Sequence, residues 1–407
     1  MTKPELLAPA GSLEKLKVAF HFGADAVYMG GHTFGLRAKA KNFTPSEMAE
    51  GIALAHSLGK RAYVTVNIFA RNDDFIELEG YLKELDSMCA DALIISDPGV
   101  FVHARKTLPN MELHVSTQAN AVNFAAVRFW KELGASRVIL GRELSLREIK
   151  EIHEHVPDIQ LEAFVHGSMC MAYSGRCLIS NYMSNRDANR GECNQPCRFT
   201  YYLVEKQSGE EIRITEEDGG AYIMSSKDLC MISHIPELLD AGITGFKIEG
   251  RMKTAYYVAA VTKVYKAAVD CYLQNPEKYR MSLDYYANEL MKVSHRQYTT
   301  GFYFGKMTGA DHSYDSELYA NNQDFLGIIE SYEPEQGIAH VEQRNKFSVG
   351  DEIEIFTGKG ENIPHTIRAI QDENGNEIQS APHPQQKIKL KIDMPVKKHD
   401  ILRRTTK

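Results

Sequence analysis

Four of the seven cysteines lie close together in the chain and give its strongest chemical signal. Cys170, Cys177, Cys193 and Cys197 are separated by six, fifteen and three residues. Four thiolates can hold an iron–sulfur cluster, which tolerates wide spacing because its ligands approach a large object. Structural zinc is the alternative, but its paired ligands are usually about two to four residues apart, which fits only the last pair. The spacing therefore favours a 4Fe-4S cluster over zinc, with unligated thiols as a third alternative.

The remaining cysteines point to no second centre. An odd number of cysteines in a chain that we expect to be cytoplasmic argues against disulfides. Cys89 and Cys271 fall on predicted helices, and we expect both to be buried core thiols.

Charged and polar side chains follow several predicted strands. Arg142, Lys247, Glu249 and Arg251 lie at the ends of apolar runs, and Gln118 follows another. The cations among them predict a site for an anionic small molecule or a phosphate, because the arginine fork matches both groups. The alternative is that loops after strands are polar in any protein.

His166 also follows a predicted strand. A histidine at such a place suits a general acid or base. An orienting or core histidine gives the same pattern in the sequence, so both interpretations stay open.

From residue 5 to about 250, short apolar runs alternate with longer stretches of helical periodicity. These elements must position the groups named above. Strands alternating with helices predict βαβ units and a parallel sheet. Eight strands close a (β/α)8 barrel of the TIM type, whose active sites lie at the carboxyl ends of its strands; a doubly wound sheet is the alternative. The predicted strands are Glu5–Ala8, Asp25–Met29, Arg61–Val66, Ala92–Ile95, Glu112–Val115, Arg137–Leu140, Gln160–Val165 and Thr244–Ile248.

The pattern also predicts the division of the chain. The barrel domain covers 1–275 and carries a cysteine-rich insertion, about 168–243, after its seventh strand. A connector, 276–324, leads to a small all-β barrel domain over 325–407, because short strands there alternate with Gly, Pro and Asn turns.

Charge and hydropathy exclude some classes of protein. The net charge of −7 argues against a protein that coats nucleic acid indiscriminately. No apolar run is long enough for a membrane span, and the first residues do not resemble a signal peptide. Eight Lys or Arg in 387–407 form a local basic stretch, which we interpret either as a lysine-protected sheet edge or as an RNA contact.

One segment resembles a known family. The run from Glu162 to Ser180, which contains Val165-His166-Gly167 and Cys170 to Cys177, resembles the signature of the collagenase-like U32 peptidases. The stretches that begin at Glu5, Gly23, His114 and Lys247 are also similar to that family. The similarity covers nearly the whole predicted barrel, and the C-terminal part resembles that of longer members.

This resemblance implies more than one activity. The family was named for reported proteolysis, whereas better-understood members hydroxylate RNA bases or ubiquinone precursors and carry iron–sulfur clusters on cysteines of this region. The chain most resembles the branch that forms 5-hydroxyuridine at the tRNA wobble position, with prephenate rather than dioxygen as the hydroxyl source. Members differ in which cysteines complete the cluster, so Cys230 is an alternative ligand to Cys197.

We therefore predict a cluster-dependent tRNA uridine hydroxylase that binds tRNA and a small anion such as prephenate. A peptidase and a zinc-stapled RNA-binding module are the alternatives, and standard zinc-protease and serine-hydrolase motifs are absent. The predicted catalytic residues are Glu162, His166, Lys247 and Glu249, and the predicted substrate-binding residues are Gln118, Arg142 and Arg251.

Overall fold

A computed structural model describes residues 3–35, 42–170, 176–184, 186, 188–198, 202–204, 211–213, 227–305 and 323–406. For 202–204 and 211–213 it describes the backbone alone. Parts of the predicted insertion and connector, and Lys407, therefore lie outside the described residues.

Eight parallel strands form a closed barrel. The sheet runs from the strand at Ile243–Ile248 through the first seven strands of the chain, and pairing between the first and last of this series closes the ring. The strands up to this point are β1 Glu5–Pro9, β2 Ala26–Met29, β3 Arg61–Val66, β4 Ala92–Ile95, β5 Glu112–Val115, β6 Arg137–Ile139, β7 Gln160–Ser168, β8 Tyr202–Val204, β9 Glu211–Arg213, β10 Asp228–Cys230 and β11 Ile243–Ile248.

Helices surround this barrel and bury one face each against it. Their starts are fixed by side chains that accept otherwise unpaired backbone N–H groups, as Thr44 and Ser145 do in two reciprocal capping boxes. The helices are α1 Leu13–His21, α2 Pro45–Ser57, α3 Asp74–Ser87, α4 Pro98–Thr107, α5 Phe124–Glu132, α6 Leu146–His155, α7 Ile179–Ser184, α8 Ile235–Asp240, α9 Ala255–Gln274, α10 Pro276–Met281 and α11 Leu283–Leu290. Among the described residues, no helix is long and apolar enough to cross a membrane.

The insertion adds one strand, β10, that pairs with the end of the seventh barrel strand. β10 runs antiparallel to β7 and places Cys230 opposite His166. A two-residue strand, β12 Tyr298–Thr299, then pairs with β10 in parallel. The polypeptide that carries the cysteines is thereby attached to the carboxyl end of β7.

The C-terminal part is an antiparallel β half-barrel with its own apolar core. Its main sheet of eight strands is open among the described residues, with β17 and β19 at its ends. The strands are β13 Gln323–Glu333, β14 Ile338–Gln343, β15 Phe347–Ser348, β16 Glu352–Phe356, β17 Ile363–Thr366, β18 Ile370–Asp372, β19 Glu377–Ile378, β20 Ser380–Ala381, β21 Lys387–Lys391 and β22 Ile401–Thr405.

Buried polar contacts join the two parts. Arg403 on β22 is fully buried and donates to Glu289 at 2.9 Å and to the Tyr256 hydroxyl at 3.1 Å. The His21 ring lies 2.7 Å from a carboxylate oxygen of Asp400. The half-barrel therefore packs on the side of the barrel formed by α1, α9 and α11.

The predicted fold class is confirmed, because all eight predicted barrel strands are present in the predicted order. Several details were wrong or missed, among them the following. Helix α4 and strand β22 were not predicted, and Cys89 is exposed rather than buried because it follows α3 with a φ of +61°.

The basic C-terminal stretch is only partly available for RNA. β21 pairs with β14 on one side and β18 on the other, so its interpretation as a sheet edge was wrong. Arg403 is buried, and Lys387 is bound by Glu330 and Glu342 at 2.6 Å each. Acidic partners therefore neutralise Lys387 and Arg403 within this stretch.

Candidate active site at the carboxyl end of the barrel

A cavity of about 200 Å³ opens at the carboxyl ends of the barrel strands. Its wall combines cations, a carboxylate, amides and thiols that lie far apart in the sequence. The charged and polar members that sequence analysis predicted are Gln118, Arg142, Lys247, Glu249, Arg251, Cys170, Cys177, Cys193 and Cys197. In a TIM-type barrel this face carries the chemistry, so the cavity is the candidate active site.

Lys247 forms part of the cavity wall and belongs to a buried ion network beneath it. Its ammonium donates to Glu162 at 2.8 Å, and Arg137 donates to the other oxygen of Glu162 at 2.9 Å. Arg137 also binds Glu5 at 2.5 Å. Burial alone would raise the pKa of Glu162, but the charges of Lys247 and Arg137 lower it to about 2. Glu162 therefore stays ionised and fixes the position of the Lys247 side chain.

Arg142 lies in the same wall, close to the Phe164 ring that Lys247 also approaches, and is held in one orientation. Its guanidinium lies 3.9 Å from the centre of the Phe164 ring, donates to the Ser168 carbonyl at 2.8 Å and approaches Glu249 at 3.4 Å. Stacking on an aromatic face and a fixed backbone partner pre-organise an arginine for a planar anion.

Arg251 is 7% exposed and forms another cationic part of the wall. It donates to Asn42 at 2.9 Å and lies 3.5 Å from the Thr65 hydroxyl. Gly30 permits this placement, because a Cβ there would lie 2.6 Å from the guanidinium. The glycine at this strand end is thus required by the arginine that packs over it.

Gln118 lies on a short 3-10 helix, Thr117–Ala119, that follows β5. Ser116 caps this turn by accepting from the Gln118 backbone N–H at 3.3 Å and also accepts from Asn67 at 3.3 Å. The amide oxygen of Gln118 is buried and has no hydrogen-bond partner among the described residues. An amide in this position can contribute to a polar contact with a bound molecule.

The four predicted cysteine ligands all line this one cavity. Ser180 is buried and donates to the Asn194 side chain at 2.6 Å, which ties the segment after Cys177 to the segment after Cys193. Arg190 joins the same polypeptide to the barrel through two bonds to Asp74 at 2.8 and 2.9 Å. Contacts with the barrel therefore hold the thiols over its mouth.

Thiolates are good metal ligands, but the arrangement of these four thiols does not match a site for a single metal ion. Among the described residues, no three side chains of His, Cys, Asp or Glu converge to hold one metal ion. Four thiols that face a shared cavity match the donor set of an iron–sulfur cluster. The alternative ligand Cys230 does not line the described cavity, and burial raises the pKa of its thiol to about 11. This placement favours Cys197 as the fourth ligand.

Two predicted catalytic residues are not among those that line the described cavity. Glu162 lies below Lys247, as described above. His166 is 1% exposed and packs among the rings of Tyr257, Tyr265 and Tyr298 at 5.3 to 6.0 Å. Burial lowers the pKa of His166 to about 3, so its ring is neutral. Glu162 thus has the position of an orienting group, and His166 that of a packed histidine.

The sequence profile of "Peptidase family U32" matches residues 11–313, and that of "Peptidase family U32 C-terminal domain" matches residues 321–403. The chain belongs to peptidase family U32. The boundary between the two matched regions falls inside the connector that the sequence pattern predicts.

Several relatives match this family member over most of its length. "tRNA hydroxylation protein P1" of Bacillus subtilis is 44% identical over 402 residues, which cover 99% of this chain and 95% of the relative. "tRNA hydroxylation protein P" of Escherichia coli is 39% identical, with 94% and 92% covered. "Collagenase" of Porphyromonas gingivalis is 34% identical, with 87% and 86% covered. Two different activities are therefore named among similar chains.

Sequence analysis missed several residues that shape this U32 site. Tyr28 presents its ring to the Lys247 ammonium at 4.3 Å and donates to the Ile248 carbonyl at 3.0 Å. Arg137 and Asn42 hold predicted site residues in place. The inward position of Tyr28 on β2 follows from strand alternation, but the partners of Arg137 and Asn42 depend on the closed barrel.

Proposed function

We propose that this U32 family member is an enzyme of tRNA hydroxylation that forms 5-hydroxyuridine at the wobble position. The names of relatives that align with nearly the whole chain support a role in tRNA hydroxylation. The observation that carries the finer assignment is the single cavity that combines Cys170, Cys177, Cys193 and Cys197 with fixed cations. Such a combination suits redox chemistry on a substrate held by its charge.

In this proposal the four cysteines hold a 4Fe-4S cluster. The cluster, when bound, supplies one-electron chemistry next to the cations of the cavity. Arg142 and Arg251 bind the carboxylates of the hydroxyl source, for which we propose prephenate. Lys247 and Glu249 are the groups that we assign to interact with the reacting molecule, and Glu143 is a further carboxylate in the cavity wall.

The target uridine has to leave its stack to reach this cavity. Enzymes that modify a base inside folded RNA take the base out of its stack and read it in a pocket. Anticodon loops present single-stranded bases of the kind that proteins recognise on their edges. The amide of Gln118 is available to contact such an edge.

Metal analysis of matched cysteine variants tests the cluster directly. The protein is purified without oxygen, and iron and sulfide are measured for the wild type, Cys170→Ala and Cys89→Ala. Cys89 is exposed at the end of α3 and does not line the cavity, so it serves as the control. We expect about four irons and four sulfides per chain in the wild type and Cys89→Ala, and loss of most iron in Cys170→Ala.

Other results of the same analysis would contradict the proposal. Stoichiometric zinc in protected wild-type protein would favour the zinc-stapled RNA-binding module. Iron that survives Cys170→Ala unchanged would mean that this cysteine is not a ligand.

Proteolysis is the second candidate, favoured by the family name and by the relative named "Collagenase". It requires a nucleophile or general base that touches a peptide in the cavity. Since Glu162 and His166 are buried away from the cavity lining, we expect the wild type, Glu162→Gln and His166→Ala all to cleave denatured collagen no faster than a blank preparation. Cleavage by the wild type well above that level, which is lost in variants that are shown to be folded, would instead establish the peptidase.

A further inference from the structure

Lys247 is a buried amine that faces the cavity rather than solvent. Its side chain is 5% exposed and its nitrogen lies 4.3 Å from the centre of the Tyr28 ring and 5.7 Å from that of Phe164. Among the residues that the structure describes, this cavity gives a small molecule access to the amine. Aromatic faces on two sides keep water away from it and stabilise a cation at its position.

The surroundings of the amine favour nucleophilic chemistry. Burial lowers the pKa of Lys247, and the nearby charge of Glu162 opposes this shift. Desolvated lysines with a lowered pKa are the ones that attack carbonyl carbons to form imines.

The ion network of Arg137, Glu162 and Lys247 is compatible with an iminium at the Lys247 nitrogen, because an iminium keeps the positive charge. Glu162 has two cationic partners, Lys247 at 2.8 Å and Arg137 at 2.9 Å, and Arg137 also binds Glu5. Loss of the Lys247 charge would leave two carboxylates with one arginine. A protonated imine keeps a positive charge at the same nitrogen, so the network stays balanced once the bond has formed.

The other cations of the cavity indicate which carbonyl compound fits. Arg142 and Arg251 line the same cavity as Lys247, and both are held by fixed partners. A carboxylate bound by an arginine brings a carbonyl carbon to the amine when the carbonyl is adjacent to the carboxylate. We propose that Lys247 forms an imine with the keto carbon of a 2-oxo carboxylate held by these arginines.

The reaction needs no external oxidant or reductant. The Lys247 ammonium first releases one proton to solvent, and its unprotonated nitrogen attacks the keto carbon, so that the C–N bond forms, the C=O π bond breaks and a second proton moves from nitrogen to oxygen. The C–O bond then breaks, one proton is taken up and water leaves, which gives the iminium. Hydrolysis reverses each step, so the bound molecule is anchored and activated without being consumed.

This proposal rests on the proposed function, because it concerns the small anion that we place in the same cavity. It extends that function by giving the keto group of the anion a covalent attachment to Lys247. Its test contains no tRNA, so its failure can be distinguished from failure of the tRNA hydroxylation proposal.

Borohydride trapping tests the imine. Anaerobically purified full-length protein is incubated with pyruvate or phenylpyruvate, reduced with borohydride and digested, and the modified lysines are located by mass spectrometry. Lactate serves as the matched ligand, because it carries the same carboxylate but has no carbonyl. Lys253 serves as the matched residue, because it is also partly buried, follows the same strand and does not line the cavity.

We expect pyruvate or phenylpyruvate to label Lys247 at least about tenfold more than Lys253, and lactate to label neither. In Lys247→Arg, which keeps a cation beside Glu162 and cannot form an imine, we expect no enrichment at this position. Labelling of Lys247 by both 2-oxo acids at or below the level of Lys253 would overturn the proposal. Loss of 5-hydroxyuridine formation has no bearing on that result.

Discussion

At the scale of single residues, the buried carboxylate Glu162 organises the site. It lies between two cations on neighbouring strands and is itself fully buried. A buried charge that loses its partner is strongly destabilising, whereas a satisfied network fixes its members in one geometry. Glu162 therefore sets where the Lys247 amine lies, although it does not line the cavity.

Replacing this carboxylate should destabilise the barrel. We expect Glu162→Gln to lower the free energy of unfolding by about 3–5 kcal/mol, because Arg137 and Lys247 are left with an uncompensated buried charge. Chemical denaturation measures the change. The control, Glu151→Gln in an exposed pair with Arg147, should change stability by about 0.5 kcal/mol or less. Equal stability of the two variants would contradict a network role for Glu162.

Glu162 should also make the free energy of unfolding depend on pH. The pKa of Glu162 is about 2 in the folded protein and 4.5 in its ordinary state. Since the folded-state pKa is depressed, the ionised group stabilises the fold above about pH 4.5, and this contribution is lost as the pH falls toward 2. The stability difference between wild type and Glu162→Gln should therefore shrink over this interval in denaturation curves. A difference that stayed constant down to pH 2 would contradict the depressed pKa.

At the scale of elements, helix α3 holds the cysteine-bearing segment over the barrel. Asp74 in the first turn of α3 accepts two bonds from Arg190, which also donates to the Phe69 carbonyl at 3.0 Å. The bond to Arg190 lowers the pKa of Asp74 to about 2. This contact joins residues 116 positions apart and positions the thiols rather than the barrel strands.

Breaking this contact should loosen the cysteines without unfolding the barrel. We expect Asp74→Asn to raise the alkylation rate of Cys193 in metal-free protein severalfold and to leave the main unfolding transition within about 1 kcal/mol of wild type. Glu77→Gln, one turn further along the exposed side of α3, is the control. An unchanged alkylation rate would show that the Asp74 contact does not hold the segment.

Element boundaries show what sequence patterns can and cannot predict. The eight barrel strands were predicted because buried parallel strands are continuous apolar runs. Cys89 was predicted to be buried because the helical repeat was extended to it. Helix α3 ends before Cys89, whose φ is positive, so its side chain no longer follows the repeat and is exposed. The convergence of the four cysteines with Arg142 and Arg251 follows from strand order, but the Arg137–Glu162–Lys247 network does not. Its members lie up to 110 residues apart, and only barrel closure brings them together.

At the scale of the whole molecule, the half-barrel is fastened to the barrel by buried ionic contacts. Arg403 belongs to β22 of the half-barrel, and its partner Glu289 belongs to α11 beside the barrel. The rings of Phe22 and Phe356 stack at 5.2 Å across the same boundary. We therefore expect the two parts to unfold together as long as this contact is present.

Removing the arginine should uncouple the two parts. We expect Arg403→Ala to remove the buried cation that Glu289 shares with Glu354, although Lys292 still pairs with Glu289, to reduce stability by about 3 kcal/mol and to split one unfolding transition into two. Calorimetry measures both effects. Arg404→Ala is the control, because Arg404 pairs with Asp324 and Asp351 within the half-barrel. A single cooperative transition in Arg403→Ala, at the wild-type temperature, would contradict this coupling.

The central claim is that the cysteine-lined cavity carries out tRNA uridine hydroxylation. A host that lacks its own genes for this modification is supplied with the wild type, Cys170→Ala or Cys89→Ala at equal protein levels, and the wobble nucleosides of its tRNA are measured by mass spectrometry. We predict that the wild type and Cys89→Ala restore 5-hydroxyuridine derivatives and that Cys170→Ala does not. Restoration by Cys170→Ala, or no restoration by the wild type, would contradict the claim.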